Sequence, residues 1–219
     1  MAVAPLNKFI TIAVPVSPGE QTVYTAPTGV SSIVLYASVA NVGVGTYPTV
    51  TFTHRRVSTA SKTAGNTRDT RLIKNGEIPP QDSLIIVDGR LVLERSALRK
   101  DSIVVKGVQE GTKTITNVVY DNNVGIATIT TSGSHGFSQG DEVTMSGIEF
   151  NCGSYSSGIT TTIFPEPQRS FIVETVINSS NFTVDAGKVS GIPHTYVSGG
   201  QVAPLQMELI MSILENSTT

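Results

Sequence analysis

The chain has 219 residues, 39% of them hydrophobic and 15% charged, with a formal charge of −2 and a pI near 5.9. That length suits one large all-β domain or two small ones able to bury real cores, and the charge balance gives no bulk attraction to nucleic acid. The single cysteine, Cys152, excludes an internal disulfide and the usual structural zinc sites. No apolar run approaches the roughly eighteen residues of a membrane span, and the opening MAVAPLNKFITIAVPV lacks a basic n-region and a long apolar h-region, so neither insertion nor Sec export is expected.

Val, Ile and Thr make up about a third of the chain, a composition suited to pleated surfaces. In chain order, Phe9 to Val16 alternates, with Ile10, Ile12, Val14 and Val16 on one face, and Pro15 and Pro18 mark it as an edge strand or arm. A short strand at Val23–Thr25 runs into the turn Ala26-Pro27-Thr28-Gly29. Ser32 to Ala40 is apolar on both faces, as a core strand must be. Thr49 to Arg55 alternates. Ser83–Val87, Asp88-Gly89 and Arg90–Glu94 predict a hairpin with a primed turn, and Ser102 to Lys106 closes this part.

From Thr114 the texture shifts to Gly and Ser. Strands are predicted at Val118–Tyr120, Ile126–Thr131, Glu142–Met145, Ser170–Val176 and Asn181–Val184. Residues 114–203 hold two basic and seven acidic side chains, a charge of −5, which leaves +3 on the remainder. The ending Leu205 to Glu215 has helical residue types but strand alternation at 205, 207, 209, 211 and 213; it is read as the closing strand of the first part. The expected fold is all-β: a discontinuous, jelly-roll-like β-sandwich of residues 1–113 and 204–219, interrupted by an all-β, acidic domain at 114–203.

Catalytic constellations are absent from the pattern. His54, His135 and His194 are widely spaced, no HExxH, CxxC or GxSxG occurs, and Gly43-Val44-Gly45 reads as a hairpin tip. The acids Asp141, Glu142, Glu149, Glu166 and Glu174 could pair only in the fold and read as solvated turn residues. No cofactor or metal is expected, and the chain is read as non-enzymatic. The segment from His54 to Lys74 carries six basic residues, Arg55, Arg56, Lys62, Arg68, Arg71 and Lys74, against one acid, Asp69. It reads as a loop between strands, or as an arm that orders against an acidic surface of a neighbour. No aromatic residues interleave it to stack bases.

Several segments together carry a resemblance. Phe9–Val16, Thr22–Gly29, Ser32–Leu35, Ala40–Val42, Thr51–Arg56, Ile78-Pro79-Pro80, Val87–Glu94 and Leu209–Glu215 resemble a small β-sandwich domain of virion structural proteins of tailed phages, especially myophages of marine cyanobacteria. The insert resembles a second module of such proteins through Ile129–Thr131, His135-Gly136-Phe137, Gly140-Asp141, Met145–Ile148, Phe182–Val184 and His194–Gly200. The resemblance implies a virion assembly component, of the tail, neck, baseplate or capsid surface, with other virion proteins and further copies of itself as partners and the virion as its location. Subunit contacts are expected from Met1 to Val16, with Phe9, Ile10 and Ile12 buried against a partner, and from Arg55, Arg56, Arg68, Arg71 and Lys74, but not from the acidic insert. A host-surface glycan is the alternative ligand of the insert, with Tyr155, Phe164 and Tyr196 as the aromatic candidates.

Overall fold

The computed structural model describes residues 7–58, 66–154, 158–164, 169–187 and 193–217, with side chains undescribed at 152–164 and 217. Every regular element among them is a β-strand, so the fold is all-β. The chain divides into two compact units: residues 1–16, 20–107 and 206–219 form the first, and residues 17–19 and 108–205 the second. The second unit thus starts six residues before the composition shift at 114, and it takes Ser17–Gly19 as well.

In the first unit, β1 (Asn7–Pro15), β2 (Gly19–Thr25), β3 (Val30–Asn41), β4 (Thr49–Ser58), β5 (Thr67–Glu77), β6 (Ser83–Ser96), β7 (Arg99–Val108) and β17 (Met207–Ser217) form a sheet path β1-β17-β3-β6-β7-β4-β5, with β2 also on β7. Residues from both ends of this path share one core: Val14, Val34, Val39, Leu209 and Ile213 at one end, Val50, Phe52, Ile103 and Val105 at the other. The path therefore folds over that core as a β-sandwich, with the long β6 serving both layers. β3 is an interior strand of the path, paired with β17 on one side and β6 on the other.

The predicted hairpin at Asp88-Gly89 does not form. β6 runs through as one strand, because both of its halves pair with β3: Tyr36 faces Asp88 and Val34 faces Leu91, so β6 carries one extra residue there. Asp-Gly is consumed as a bulge in a continuous strand. β5, predicted as loop, is a paired strand from Thr67 onward. Its sequence hides it, for an edge strand that is mostly solvated shows no apolar alternation.

The second unit contains β8 (Lys113–Asp121), β9 (Ile126–Thr131), β10 (Glu142–Ser146), β11 (Ile148–Ser154), β12 (Gly158–Phe164), β13 (Ser170–Asn178), β14 (Asn181–Asp185), β15 (His194–Ser198) and β16 (Gln201–Pro204). The order β8-β16-β10-β13-β14-β9 returns to β8, closing a six-stranded antiparallel barrel, while β15, β11 and β12 extend as a sheet from the far part of β8. A barrel this small is filled by side chains, here Ile115, Ile129, Met145, Phe171, Phe182 and Val184 among others. Its first hairpin turns at Gly125, which has φ +79° and donates its N–H to the Asp121 carbonyl at 2.8 Å.

Neither core cluster draws a residue from the other unit. Excising residues 108–205 and joining Gly107 to Gln206 through a short Gly/Ser linker should therefore leave a cooperatively unfolding first unit; a broad, non-cooperative thermal transition in that variant would contradict two independent cores.

Candidate functional site

The strand β1 pairs with β17 residue for residue, from Asn7↔Asn216 to Pro15↔Glu208, without a register shift, and it ends the sheet path. Alternation divides its side chains. Ile10 and Ile12 pack against the subunit's own core and Val14 is buried in it, while Phe9 points away from it, 74% exposed. Of the three apolar residues expected at a contact, only Phe9 is fully presented to one; the other two serve the sandwich. Residues 1–6 of that segment lie outside the described residues.

The basic segment is not a free loop. Arg55 lies directly opposite Asp69, pairing with it through Nε–Oδ1 at 2.8 Å and Nη2–Oδ2 at 2.7 Å, and reaches Glu20 at 3.1 Å. The hydrogen bonds from Arg55, with the nearby charges of Arg55 and Arg71, hold the Asp69 carboxyl below its ordinary range. Arg56 forms a second bidentate pair, at 2.7 Å through both nitrogens, with Asp101. Asp101 has no exposed side-chain surface and shares the core-facing side of β7 with Ile103 and Val105. Burial alone would push its carboxyl upward, but Arg56, the Glu94 N–H at 3.1 Å and the imidazole of His54, 3.3 Å away, outweigh that and hold it below the usual range. Arg68, Arg71 and Lys74 are exposed, and none forms an ion pair among the described residues; Lys62 lies outside them.

The second unit's histidines both pack against aromatic rings. His135 is buried, its Nε2 donating to the Asn178 carbonyl at 3.0 Å and its Nδ1 accepting from the Phe137 N–H at 2.9 Å, which defines the neutral tautomer. Its ring stacks on Phe137 at 5.2 Å and meets Phe182 edge-on at 5.1 Å. His194 stands edge-on to Tyr120 at 5.4 Å. Tyr196 is half-buried, packs on the barrel core and donates its hydroxyl to the Gly199 carbonyl at 2.9 Å. Tyr155 and Glu166 lie outside the described residues, as do the side chains of Cys152 and Phe164. Asp141 caps a turn, accepting the Ser138 N–H at 2.8 Å, and Glu142 and Glu149 bond to Ser170 and Ser198. Among the described residues no group of three His, Cys, Asp or Glu could hold a metal ion.

No family model matches the chain, and no curated protein matches it. Among solved structures it has a weak likeness to the infectious bursal virus derived T=1 particle, with a TM-score of 0.29 and 8% identity over 97% of this chain. The chain spans 40% of that protein's length.

Proposed function

We propose that this chain is a non-enzymatic structural component of a phage virion, associated with the tail, neck or baseplate, present in several copies and assembling through its β-sandwich. The observation that carries the reading is the contrast between the two ends of the sheet path. Natural edge strands are blunted by charge, bulges or proline against pairing with other chains. β5 is defended in that way: its pairing with β4 is twice irregular and it carries Arg68, Arg71 and Lys74. β1 is long and regular, with no bulge, a single charge at Lys8 near its start, proline only at its last position and Phe9 exposed on its outer face. An edge so lightly defended invites strand addition by a neighbour, where backbone hydrogen bonds give affinity and an aromatic anchor gives specificity. The resemblance of Phe9–Val16 and the segments that follow it to phage virion proteins agrees with this use.

Replacing the exposed Phe9 by Lys tests the reading without touching the core. Phe9→Lys should leave the thermal midpoint of the isolated protein unchanged within about 3 °C, since surface substitutions cost little. It should also remove the protein from purified particles. Particles that retain normal amounts of the Lys variant would contradict assembly through β1, and absence of the unaltered protein from particles would overturn the virion role itself.

A further inference from the structure

On the outer face of the sandwich, β2, β4, β5 and β7 enclose a cleft of about 170 Å³. Two irregularities in β5 shape it. Val50 faces Gly76, Phe52 faces Ile73 and Thr53 faces Arg71, so β5 carries an extra residue at each step, and such bulges re-aim side chains. Ile73 stays against the core while Arg71, Lys74 and Asn75 all line the cleft. Asn75 is held in the left-handed region, φ 51°, by Thr51: its N–H donates to Thr51 Oγ1 at 3.0 Å, and that hydroxyl donates to Asn75 Oδ1 at 3.1 Å. The Asn75 amide nitrogen remains a donor. β7 adds Lys106 and, as apolar lining, the buried Val104.

The charges are unevenly satisfied. Glu20 and Asp69 are bridged by Arg55, and Arg71 also lies near enough to Asp69 to lower its carboxyl, but Arg71, Lys74 and Lys106 form no ion pair among the described residues. We propose that this cleft docks an acidic peptide segment, one carboxylate held by Arg71, Lys74 and Lys106 and peptide N–H groups donating to Glu20. The mixed lining selects the ligand class. A nucleic acid would bring phosphates beside two carboxylates and find no aromatic side chain on which to stack; a peptide supplies both the anion and the donors, and its side-chain methylenes suit Val104. Because β5 is bulged and charged, recognition is by side chains and not by strand addition. The inference rests on the assembly reading only for the source of the peptide, a neighbouring virion subunit.

The test is fluorescence anisotropy of the whole protein with a rhodamine-labelled peptide of alternating Glu and Gly at low ionic strength. Binding is expected to weaken as salt rises and to vanish for the Gln/Gly analogue. Changing Arg71, Lys74 and Lys106 together to Ser should weaken it at least about tenfold at an unchanged melting temperature, while the exposed Arg68→Ser control retains it. Equal binding by the triple variant, equal binding of the Gln/Gly peptide, or tighter binding of a labelled oligo-dT strand that displaces the acidic peptide would each overturn the proposal, as would no binding at millimolar peptide. Phe9→Lys leaves the cleft intact and should bind the peptide normally, so failure of the β1 reading and failure of this one are separately visible.

Discussion

Ending the chain at Leu205 should abolish folding of the first unit while sparing the second. The segment removed contains β17, which lies between β1 and β3 and pairs with both along its length. It carries Met207, Leu209, Met211 and Ile213, each at most 1% exposed. Deleting one large buried side chain costs about 2–5 kcal/mol, so four of them, with the ladder bonds to β1 and β3 lost as well, are enough to cancel the roughly 5–15 kcal/mol that holds a typical domain together. The loss extends to polar contacts: the Tyr24 hydroxyl, whose ionisation is suppressed first by burial and then by Glu215, donates to that carboxylate at 2.7 Å. Leu205 itself is half-buried, precedes β17 and belongs to the second unit, so the closing strand starts later than the alternation from 205 suggests. Limited proteolysis should leave a protected fragment close to residues 108–205. Two intact unfolding transitions in the truncated protein would show that the first unit does not need its C-terminal strand.

Arg56→Ala is the second large effect, and its size depends on pH. With Arg56 present, Asp101 titrates below its unfolded value, so its contribution to stability is present above about pH 4 and is lost as pH falls through the folded value. Removing Arg56 strands a fully buried carboxylate, at a cost of about 3–5 kcal/mol near neutral pH. Burial then opposes the carboxylate against only the Glu94 N–H and His54, so Asp101 titrates higher than in the parent. A carboxyl that takes up its proton sooner loses its burial penalty as pH falls, so the gap between variant and parent should narrow on acidification. Urea unfolding at several pH values reads this directly, and a gap that stayed constant would mean that Arg56 does not neutralise Asp101. For the same reason a Ser or Ala variant at Arg56 reports on folding before it reports on assembly, unlike variants at the exposed Arg68, Arg71 and Lys74.

Period-two alternation and apolar runs are local properties, so the alternating strands at Phe9–Val16, Thr49–Arg55 and Ile126–Thr131, the two-faced apolar strand at Ser32–Ala40, the all-β class and the strand character of the C-terminus were legible from residue order alone. Alternation sorted Ile10, Ile12 and Val14 from Phe9, but it could not say which side was the subunit's own core; the packing against β17 and β3 decided that. Asp88-Gly89 has the chemistry of a turn and became a bulge because β3 was available to both flanks. β5 had no apolar signal to read, since an edge strand held by backbone pairing and by Arg55–Asp69 needs none. The burial of Asp101 against Arg56, 45 residues away, and the closure of β8 on β16 both join positions that are distant in sequence. Such long-range pairings, and the cleft that two bulges open beside Lys106, exist only once the strands are laid side by side: sequence determined which segments would be strands, and tertiary structure decided their neighbours and which charges were left without one.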